Sequence, residues 1–168
     1  MNKIAILMGS ARSDGNTHKV ISQLMSQIEA DLYDLNDYEV GYYDYEHRQN
    51  DDFPQLIAKL VQYDYLIFAT PVYWYSMSAQ MKTFFDRLTD VFEIHKTLYD
   101  SWAGKTWLTL SCGPDDDVPD YFAKPFAASA EYLNLQYAGW VHSWLENGVL
   151  SEGRKKAIEN WLKQAGLN

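Results

Sequence analysis

The sequence is poor in cysteine and lacks long apolar runs. Its single cysteine, Cys112, excludes an intramolecular disulfide and an all-cysteine metal or iron–sulfur site. The apolar run nearest the N-terminus, Ile4–Met8, is too short for the core of a secretory signal. No stretch approaches the roughly 18 apolar residues of a membrane-spanning helix. We therefore expect a cytoplasmic protein with no membrane partner.

Basic residues are also scarce. The 168 residues include 14 Lys and Arg but 23 Asp and Glu, which gives a formal net charge of −9. Nucleic acids and anionic membrane surfaces bind clustered Lys and Arg, so we expect neither as a partner. Two segments carry the acidic excess: residues 31–52 hold eight acids and one base, and residues 113–120 hold four acids and no base.

The apolar content, in contrast, is high enough for a packed core. Apolar residues make up 47% and aromatic residues 15% of the chain, which excludes a disordered protein. The length suits a single domain over residues 1–168.

The pattern of apolar residues predicts alternating strands and helices. Short apolar runs predict strands over residues 3–8, 31–35, 65–69, 105–112 and 136–141, and helical spacing predicts helices over 16–28, 53–62, 78–92, 121–133 and 151–165. Such alternation predicts an α/β fold with a parallel sheet and helices on both faces. At this length we expect the flavodoxin-like doubly wound five-stranded parallel sheet, with strand order 2-1-3-4-5.

In such a sheet, ligands bind outside the carboxyl ends of the strands, where strands 1 and 3 diverge. The first loop at that edge, residues 9–17, joins a strand to a helix N-terminus, which favours an anion. Neither a P-loop nor a G-x-G-x-x-G pattern is present. Five side chains suit a phosphate monoester: Ser10, Arg12, Ser13, Asn16 and Thr17. The alternative is that the hydroxyl and amide groups only cap the helix.

The second loop at this edge contains three consecutive aromatic residues, Tyr73, Trp74 and Tyr75. Because loops lie on the surface, these rings are expected to be exposed in the crevice, where they suit a flat conjugated ligand. The alternative is an aromatic protein–protein interface.

The third loop contains Ser111, Cys112 and Gly113. Gly113 permits close backbone approach. Cys112 is expected to be a small buried residue with no covalent role, since no histidine lies nearby in sequence. The four histidines are widely spaced, so we expect no metal, and for Asp86 and Arg87 we expect structural ion pairing.

Residues 9–17 (GSARSDGNT) and 70–88 (TPVYWYSMSAQMKTFFDRL) resemble the NADPH-dependent FMN reductases and related flavodoxin-fold quinone reductases. The resemblance implies that FMN is bound, with its phosphate on the five side chains of residues 9–17. It implies that the isoalloxazine contacts Pro71, Val72, Tyr73, Trp74, Tyr75, Ser76 and Met77, and that Ser111, Cys112 and Gly113 form a third wall. Many relatives carry a small residue, often Gly, where Tyr75 stands.

The resemblance also implies a reaction and a form of assembly. A nicotinamide, NADH or NADPH, would pass hydride to FMN, and a quinone, free flavin or azo compound would then accept the electrons. Tyr73 is the candidate for positioning or protonating the acceptor, and relatives of this fold form homodimers or homotetramers. The alternatives are a flavodoxin-type electron carrier, which would dock through the acidic segments, and a flavin-free interaction module. We expect an acidic, aromatic rim around a neutral-to-basic pocket.

Overall fold

The computed structural model describes residues 2–167, which form five strands, six α-helices and one 3₁₀ turn. The strands are β1 (Ile4–Met8), β2 (Asp31–Asp34), β3 (Tyr65–Pro71), β4 (Thr106–Cys112) and β5 (Gln136–Ser143). The helices are α1 (Asn16–Met25), α2 (Phe53–Leu60), α3 (Ala79–Glu93), α4 (Lys96–Asp100), α5 (Lys124–Tyr132) and α6 (Glu152–Gln164), and the 3₁₀ turn covers Leu35–Asp37.

The strands form one parallel sheet in the order β2-β1-β3-β4-β5, which confirms the predicted flavodoxin-like fold. Strand β1 is buried along its whole length because helices cover both faces of the sheet. Helices α2, α3 and α5 pack on one face against side chains such as Phe68 and Trp107. Helices α1 and α6 pack on the other face against Ile6, Ile67 and Leu108.

Two elements depart visibly from the predictions. Helix α1 ends at Met25 rather than at residue 28, because the N–H groups of Gln27 and Ile28 both bond to the carbonyl of Leu24 and tighten the chain into a turn. Helix α4 has no predicted counterpart, since five residues show too little periodicity to be recognised. The other predicted boundaries agree with the structure within three residues.

Strand β5 contains a one-residue bulge. Trp107 pairs with Tyr137 and Thr109 pairs with Trp140, so β5 uses one residue more than β4 over this interval. The bulge includes Gly139, whose φ of 108° favours glycine. As a result Trp140 and His142 lie on the same face of the sheet as Tyr137.

The acidic segment that follows β2 is irregular but anchored to helix α3. His47 lies between two carboxylates of that helix, 2.9 Å from Asp90 and 3.0 Å from Glu93. The buried guanidinium of Arg87 binds Asp90 at 2.6 Å and also reaches Asp51 in the acidic segment. These contacts hold the segment against the domain although it forms neither helix nor strand beyond the 3₁₀ turn.

The structural ion pairing predicted for Asp86 and Arg87 is confirmed, but the two residues have different partners. Asp86 pairs with Lys82 one turn earlier on the exposed side of α3, whereas Arg87 is buried. Within residues 2–167, no helix combines the length and apolar character needed to cross a bilayer.

Candidate functional site

Three loops meet at the carboxyl edge of the sheet around a pocket of about 420 Å³. Nine of the residues predicted for the site line it: Ser10, Arg12, Asn16, Thr17, Pro71, Val72, Tyr73, Cys112 and Gly113. Three lining residues were missed by the sequence analysis: Ala11, Gly15 and Pro114. Six predicted residues lie outside the lining: Ser13, Trp74, Tyr75, Ser76, Met77 and Ser111.

The first loop begins at Gly9, where helix α3 comes close to the end of β1. A Cβ at Gly9 would lie 3.0 Å from the Cβ of Met81, so only glycine fits without displacement. The hydroxyl of Ser78 donates to the carbonyl of Gly9 at 2.7 Å and accepts from the N–H of Met81 at 3.1 Å. One buried serine therefore caps α3 and joins the first loop to the second.

The N-terminus of α1 opens into the pocket without a side-chain cap. Gly15 is the N-cap residue, no side chain accepts a hydrogen bond there, and the first turn contains no acidic residue. The alternative that the loop side chains only cap this helix is therefore wrong. The free N–H groups and the helix dipole together favour an anion at this point.

The side chains around this helix end also suit an anion. Ser10 and Thr17 are buried in the pocket wall, whereas the side chain of Arg12 is 74% exposed, with Nε 4.0 Å from the carboxylate of Asp14. Because that ion pair is long and solvated, it is weak, and Arg12 is free to turn toward a bound anion. Arg12 is also the charged residue among those that line the pocket.

Asn36, in the 3₁₀ turn, supports this loop from the side of β2. Its amide donates to the carbonyl of Ser10 at 2.8 Å and to the hydroxyl of Ser13 at 3.3 Å. Ser13 thus contacts the supporting residue and does not line the pocket. Sequence reasoning missed Asn36 because its role depends on a contact between two loops that are distant in sequence.

The second loop is a tight hairpin that displays aromatic side chains. The backbones of Tyr73 and Ser76 exchange two hydrogen bonds of 2.9 and 3.1 Å. The two central residues, Trp74 and Tyr75, have φ values of 49° and 62°. A two-residue hairpin turn with positive φ at both central positions normally carries Asn-Gly there, because aromatic residues are strained at positive φ. Tyr73 lines the pocket, while Trp74 is 94% exposed.

A second hairpin of the chain shows the same geometry with the favoured residues. The backbones of Glu146 and Val149 exchange the same pair of hydrogen bonds, and Asn147 and Gly148 occupy the centre with φ values of 51° and 83°. The contrast indicates that the aromatic dipeptide at residues 74–75 serves something other than turn formation. Met77, which follows the aromatic hairpin, is buried in the core against α2 and α3.

The third loop is held by a residue that sequence reasoning missed, His142 of β5. The hydroxyl of Ser111 lies 2.8 Å from His142 Nδ1, and His142 Nε2 lies 2.8 Å from the carbonyl oxygen of Asp115. Strand pairing places Ser111 directly beside His142, although they are 31 positions apart. Only the register of β4 and β5, which the bulge determines, could have revealed this contact.

Cys112 lines the pocket, but its thiol is unreactive. Burial raises the pKa of its thiol to about 11, so it is protonated at neutral pH and is a poor nucleophile. This agrees with the expectation of a small buried residue. Among the described residues, no three His, Cys, Asp or Glu side chains converge in a way that could hold a metal ion.

Exposed carboxylates lie on the third loop, beside the pocket. Asp115, Asp116 and Asp117 are exposed on this loop. The exposed Tyr42 and Tyr45 belong to the segment after β2, which His47 ties to Asp90 and Glu93 near the C-terminal end of α3, so an aromatic rim formed by these tyrosines stays a prediction. The lining itself contains no carboxylate. The pocket therefore fits a ligand with an anionic end, which the α1 N-terminus and Arg12 would hold, and a flat apolar part, which would lie along Pro71–Tyr73. Flavin mononucleotide has this chemistry.

A larger groove of about 880 Å³ lies at the opposite, amino edge of the sheet. Three of its polar side chains are paired with one another: the hydroxyl of Tyr63 donates to Asp31 at 2.6 Å and lies 2.8 Å from that of Tyr33. It offers no uncapped helix N-terminus, so the carboxyl-edge pocket is the better candidate.

Comparison with known proteins identifies the family of the chain. Residues 2–118 match the family of NADPH-dependent FMN reductases, and the chain belongs to that family, which confirms the resemblance. Over 92 residues, 51% of each chain, it is 36% identical to "Putative NAD(P)H-dependent FMN-containing oxidoreductase YwqN" of Bacillus subtilis strain 168. Over 96 residues it is 32% identical to an NADPH azoreductase of Bacillus sp. strain OY1-2, covering 56% of this chain and 54% of that protein.

Solved structures show the same fold. The Trp repressor binding protein from Bacillus subtilis superposes with a TM-score of 0.74 at 21% sequence identity, over 96% of this chain and 97% of that one. The alignments with the two curated relatives, in contrast, span only about half of each relative's length.

Proposed function

We propose that the protein is an FMN-dependent NAD(P)H oxidoreductase that passes hydride from a nicotinamide to bound FMN and on to a small acceptor. The acceptor classes proposed are quinones, free flavins and azo compounds. The observation that carries the proposal is the uncapped N-terminus of α1, which opens into a pocket beside the aromatic hairpin. Membership of the NADPH-dependent FMN reductase family supports it.

When bound, FMN supplies the hydride and electron-transfer chemistry, and the chain supplies binding, orientation and exclusion of water. The free N–H groups of α1, the hydroxyls of Ser10 and Thr17, and Arg12 would hold the phosphate. The backbone of Pro71–Tyr73 and the segment of the buried Cys112 and half-buried Gly113 would line the two sides of the flavin ring. The phenol of Tyr73, which lines the pocket, would position or protonate the acceptor.

The experiment is anaerobic reduction of the FMN-loaded protein. We expect the purified protein to bind FMN stoichiometrically and NADPH or NADH to bleach its visible flavin absorbance, with recovery on adding a quinone or an azo dye. A protein that takes up no FMN, or whose bound flavin is reduced by dithionite but by neither nicotinamide, would contradict the proposal. Steady-state rates with NADH and NADPH then identify the donor.

A second candidate function is a flavodoxin-type electron carrier without a small-molecule substrate. The observation that favours it is the run of exposed carboxylates, Asp115–Asp117, beside the pocket, since charged surfaces steer the docking of protein partners. Bleaching by dithionite but not by a nicotinamide, together with electron exchange with a redox protein, would select the carrier.

We also infer that the protein associates with itself and is cytoplasmic. Trp74, Tyr42 and Tyr45 are highly exposed, and exposed Trp and Tyr are enriched at interfaces. We expect a homodimer or homotetramer in analytical ultracentrifugation, weakened in a Trp74→Asn variant. The buried, unpaired Cys112 suits a reducing compartment.

A further inference from the structure

A chain of four polar groups crosses from β5 to the third loop of the pocket. The indole N–H of Trp140 donates to the hydroxyl of Ser111 at 2.7 Å. That hydroxyl lies 2.8 Å from Nδ1 of His142, and Nε2 of His142 lies 2.8 Å from the carbonyl oxygen of Asp115. Ser111 is fully buried, so the chain is closed to solvent at that point.

The two ends of this chain determine the position of every proton in it. An indole N–H can only donate and a backbone carbonyl can only accept. Since Asp115 accepts, the proton of the imidazole is on Nε2. The Ser111 hydroxyl accepts from Trp140, and among the described residues Nδ1 of His142 is the one acceptor within reach of its own proton, so that proton points at Nδ1. His142 is therefore neutral, with one defined tautomer, and both of its nitrogens are bonded.

The imidazole also fills the space above Gly113. A Cβ at Gly113 would lie 2.9 Å from Cε1 and 3.1 Å from Nε2 of His142, so the ring and the loop backbone are in direct contact. At the start of the loop, the N–H of Gly113 bonds to the carbonyl of Ser143 on β5 at 3.1 Å. Beyond Gly113 the loop is held by its own hydrogen bonds: the N–H of Asp117 bonds to the side chain of Asp115, and the N–H of Val118 bonds to the carbonyl of Asp116. His142 is the side chain of β5 that joins the part of the loop beyond Gly113 to the sheet.

We propose that His142 is a positioning residue that fixes the Gly113–Asp117 loop as the third wall of the pocket and so strengthens FMN binding without touching the flavin. This rests on the proposed function only in naming FMN as the ligand. The loop supplies Gly113 and Pro114 to the pocket lining. Among the described residues, the bond from the His142 ring to the Asp115 carbonyl is the one hydrogen bond between this loop and a side chain of β5.

The surroundings of His142 support the neutral form. Burial lowers the pKa of His142, the hydrogen bond to the Asp115 carbonyl raises it in part, and the nearby guanidinium of Arg154 lowers it further. The negative charges of Asp115 and Asp116 act in the opposite sense and raise the pKa of His142. Protonation of Nδ1 would also leave the buried hydroxyl proton of Ser111 without its acceptor.

The first test uses the flavin-free protein. Long-range ¹H–¹⁵N NMR of the histidine rings should show His142 as the Nε2–H tautomer at neutral pH. In Ser111→Ala, which removes the proton that points at Nδ1, His142 should titrate at a higher pH than in the unchanged protein. An Nδ1–H tautomer, a charged ring at neutral pH, or an unchanged titration in Ser111→Ala would overturn the proposal.

The second test compares two variants at the same position. His142→Gln retains a donor for the Asp115 carbonyl, whereas His142→Phe retains a ring but no donor. We expect His142→Phe to raise the Kd for FMN about tenfold, the effect of one lost hydrogen bond, and to speed amide exchange of Gly113, Asp117 and Val118 in the flavin-free protein. In His142→Gln, both the Kd for FMN and the amide exchange rates of the loop should lie closer to those of the unchanged protein.

The outcomes separate this inference from the proposed function. If His142→Gln is no better than His142→Phe, or if neither changes loop exchange, the positioning role is rejected even when nicotinamide reduces the flavin normally. If the tautomer and loop exchange behave as expected but no nicotinamide reduces the flavin, the positioning role stands and the oxidoreductase proposal fails. Should His142→Phe not fold, the NMR measurements on the unchanged protein still decide the matter.

Discussion

Arg87 and Asp51 form a buried, two-pronged ion pair that joins helix α3 to the acidic segment after β2. Two nitrogens of the guanidinium bind the two carboxylate oxygens of Asp51 at 2.5 and 3.3 Å, while Nε binds Asp90 at 2.6 Å. The side chains of Arg87 and Asp51 are 3% and 10% exposed. This relationship explains how a segment of high negative charge and no regular structure is retained on the domain.

Replacing Arg87 with Met should destabilise the protein strongly. The variant leaves the carboxylates of Asp51 and Asp90 buried without their cation, and removal of one partner from a buried pair costs about 3–5 kcal/mol. Urea unfolding followed by circular dichroism measures this loss. Lys82→Met is the matched control on the same helix: its pair with Asp86 is exposed, so we expect a change within about 0.5 kcal/mol. Equal losses in the two variants would contradict the assignment.

The loss of folding stability at acid pH should depend on Asp51. Burial by itself raises the pKa of Asp51, but the hydrogen bonds from Arg87 and from the N–H groups of Gly41 and Phe53 outweigh it and hold the pKa below its usual value of 3.8. A depressed carboxyl pKa contributes stability that is complete above the unfolded-state pKa and is lost as the pH falls through the folded-state pKa. We therefore expect Asp51→Asn to be less stable than the unchanged protein at pH 6, with the difference shrinking below about pH 4. A difference that stays constant with pH would show that charge is not its origin.

The two hairpins permit an exchange of their central residues. Replacing Trp74-Tyr75 with Asn-Gly, which the chain itself uses at residues 147–148, removes two aromatic residues from positive φ. We expect a gain of about 1–2 kcal/mol in unfolding free energy, measured by thermal melting, and a slower reduction of the electron acceptor. The reciprocal variant, with Trp-Tyr at 147–148, should lose stability by a similar amount and keep its activity. No gain in the first variant would mean that the aromatic turn is not strained.

Arg12 should contribute to phosphate binding in particular. We expect Arg12→Ala to raise the Kd for FMN about 10- to 100-fold, the range for a hydrogen bond to a charged group, and to leave the affinity for riboflavin, which lacks the phosphate, unchanged. Arg12→Lys should lie between the two, because it keeps the charge but not the fork of donors. Quenching of flavin fluorescence gives all of these constants. An equal loss for FMN and riboflavin would place Arg12 against the ring or the ribityl chain instead.

The carboxylates of Asp116 and Asp117 should slow the approach of an anionic nicotinamide. Both side chains are exposed beside the pocket, whereas Asp115 accepts a hydrogen bond from the N–H of Asp117 and is better left intact. We expect the Asp116→Asn, Asp117→Asn double variant to oxidise NADPH faster at low ionic strength, and the gain to vanish near 1 M salt, where charges are screened within about 3 Å. Stopped-flow kinetics over a salt series measures this; a gain that is independent of salt would point to a structural cause.

The fold could be predicted from the sequence because its signals are local and repeated. Buried runs such as Ile4–Met8 and 65–69, each followed by turn residues and a helical pattern, define the alternation of strands and helices, and topology rules supply the order. The loops of the site follow from that order. Asn36 and His142 could not be found in this way, because each acts through a partner on another strand or loop, and the partner is set by register and by tertiary contact. Helix α4 was not predicted for a simpler reason: it is shorter than two turns.

The bulge at Gly139 has a consequence for how this site could change over time. If the same residues of β5 paired with β4 regularly from Tyr137 onward, with no residue bulged out, the side chains from Trp140 onward would alternate in the opposite sense, and Val141 would replace His142 beside Ser111. A substitution at Gly139 that closed the bulge without shortening β5 would therefore exchange the polar support of the pocket for an apolar side chain, with no substitution in any lining residue. Deleting residue 138 or 139 would instead remove the bulge and keep His142 opposite Ser111. The bulge in this edge strand is therefore as informative about the site as the identities of the residues that line the pocket.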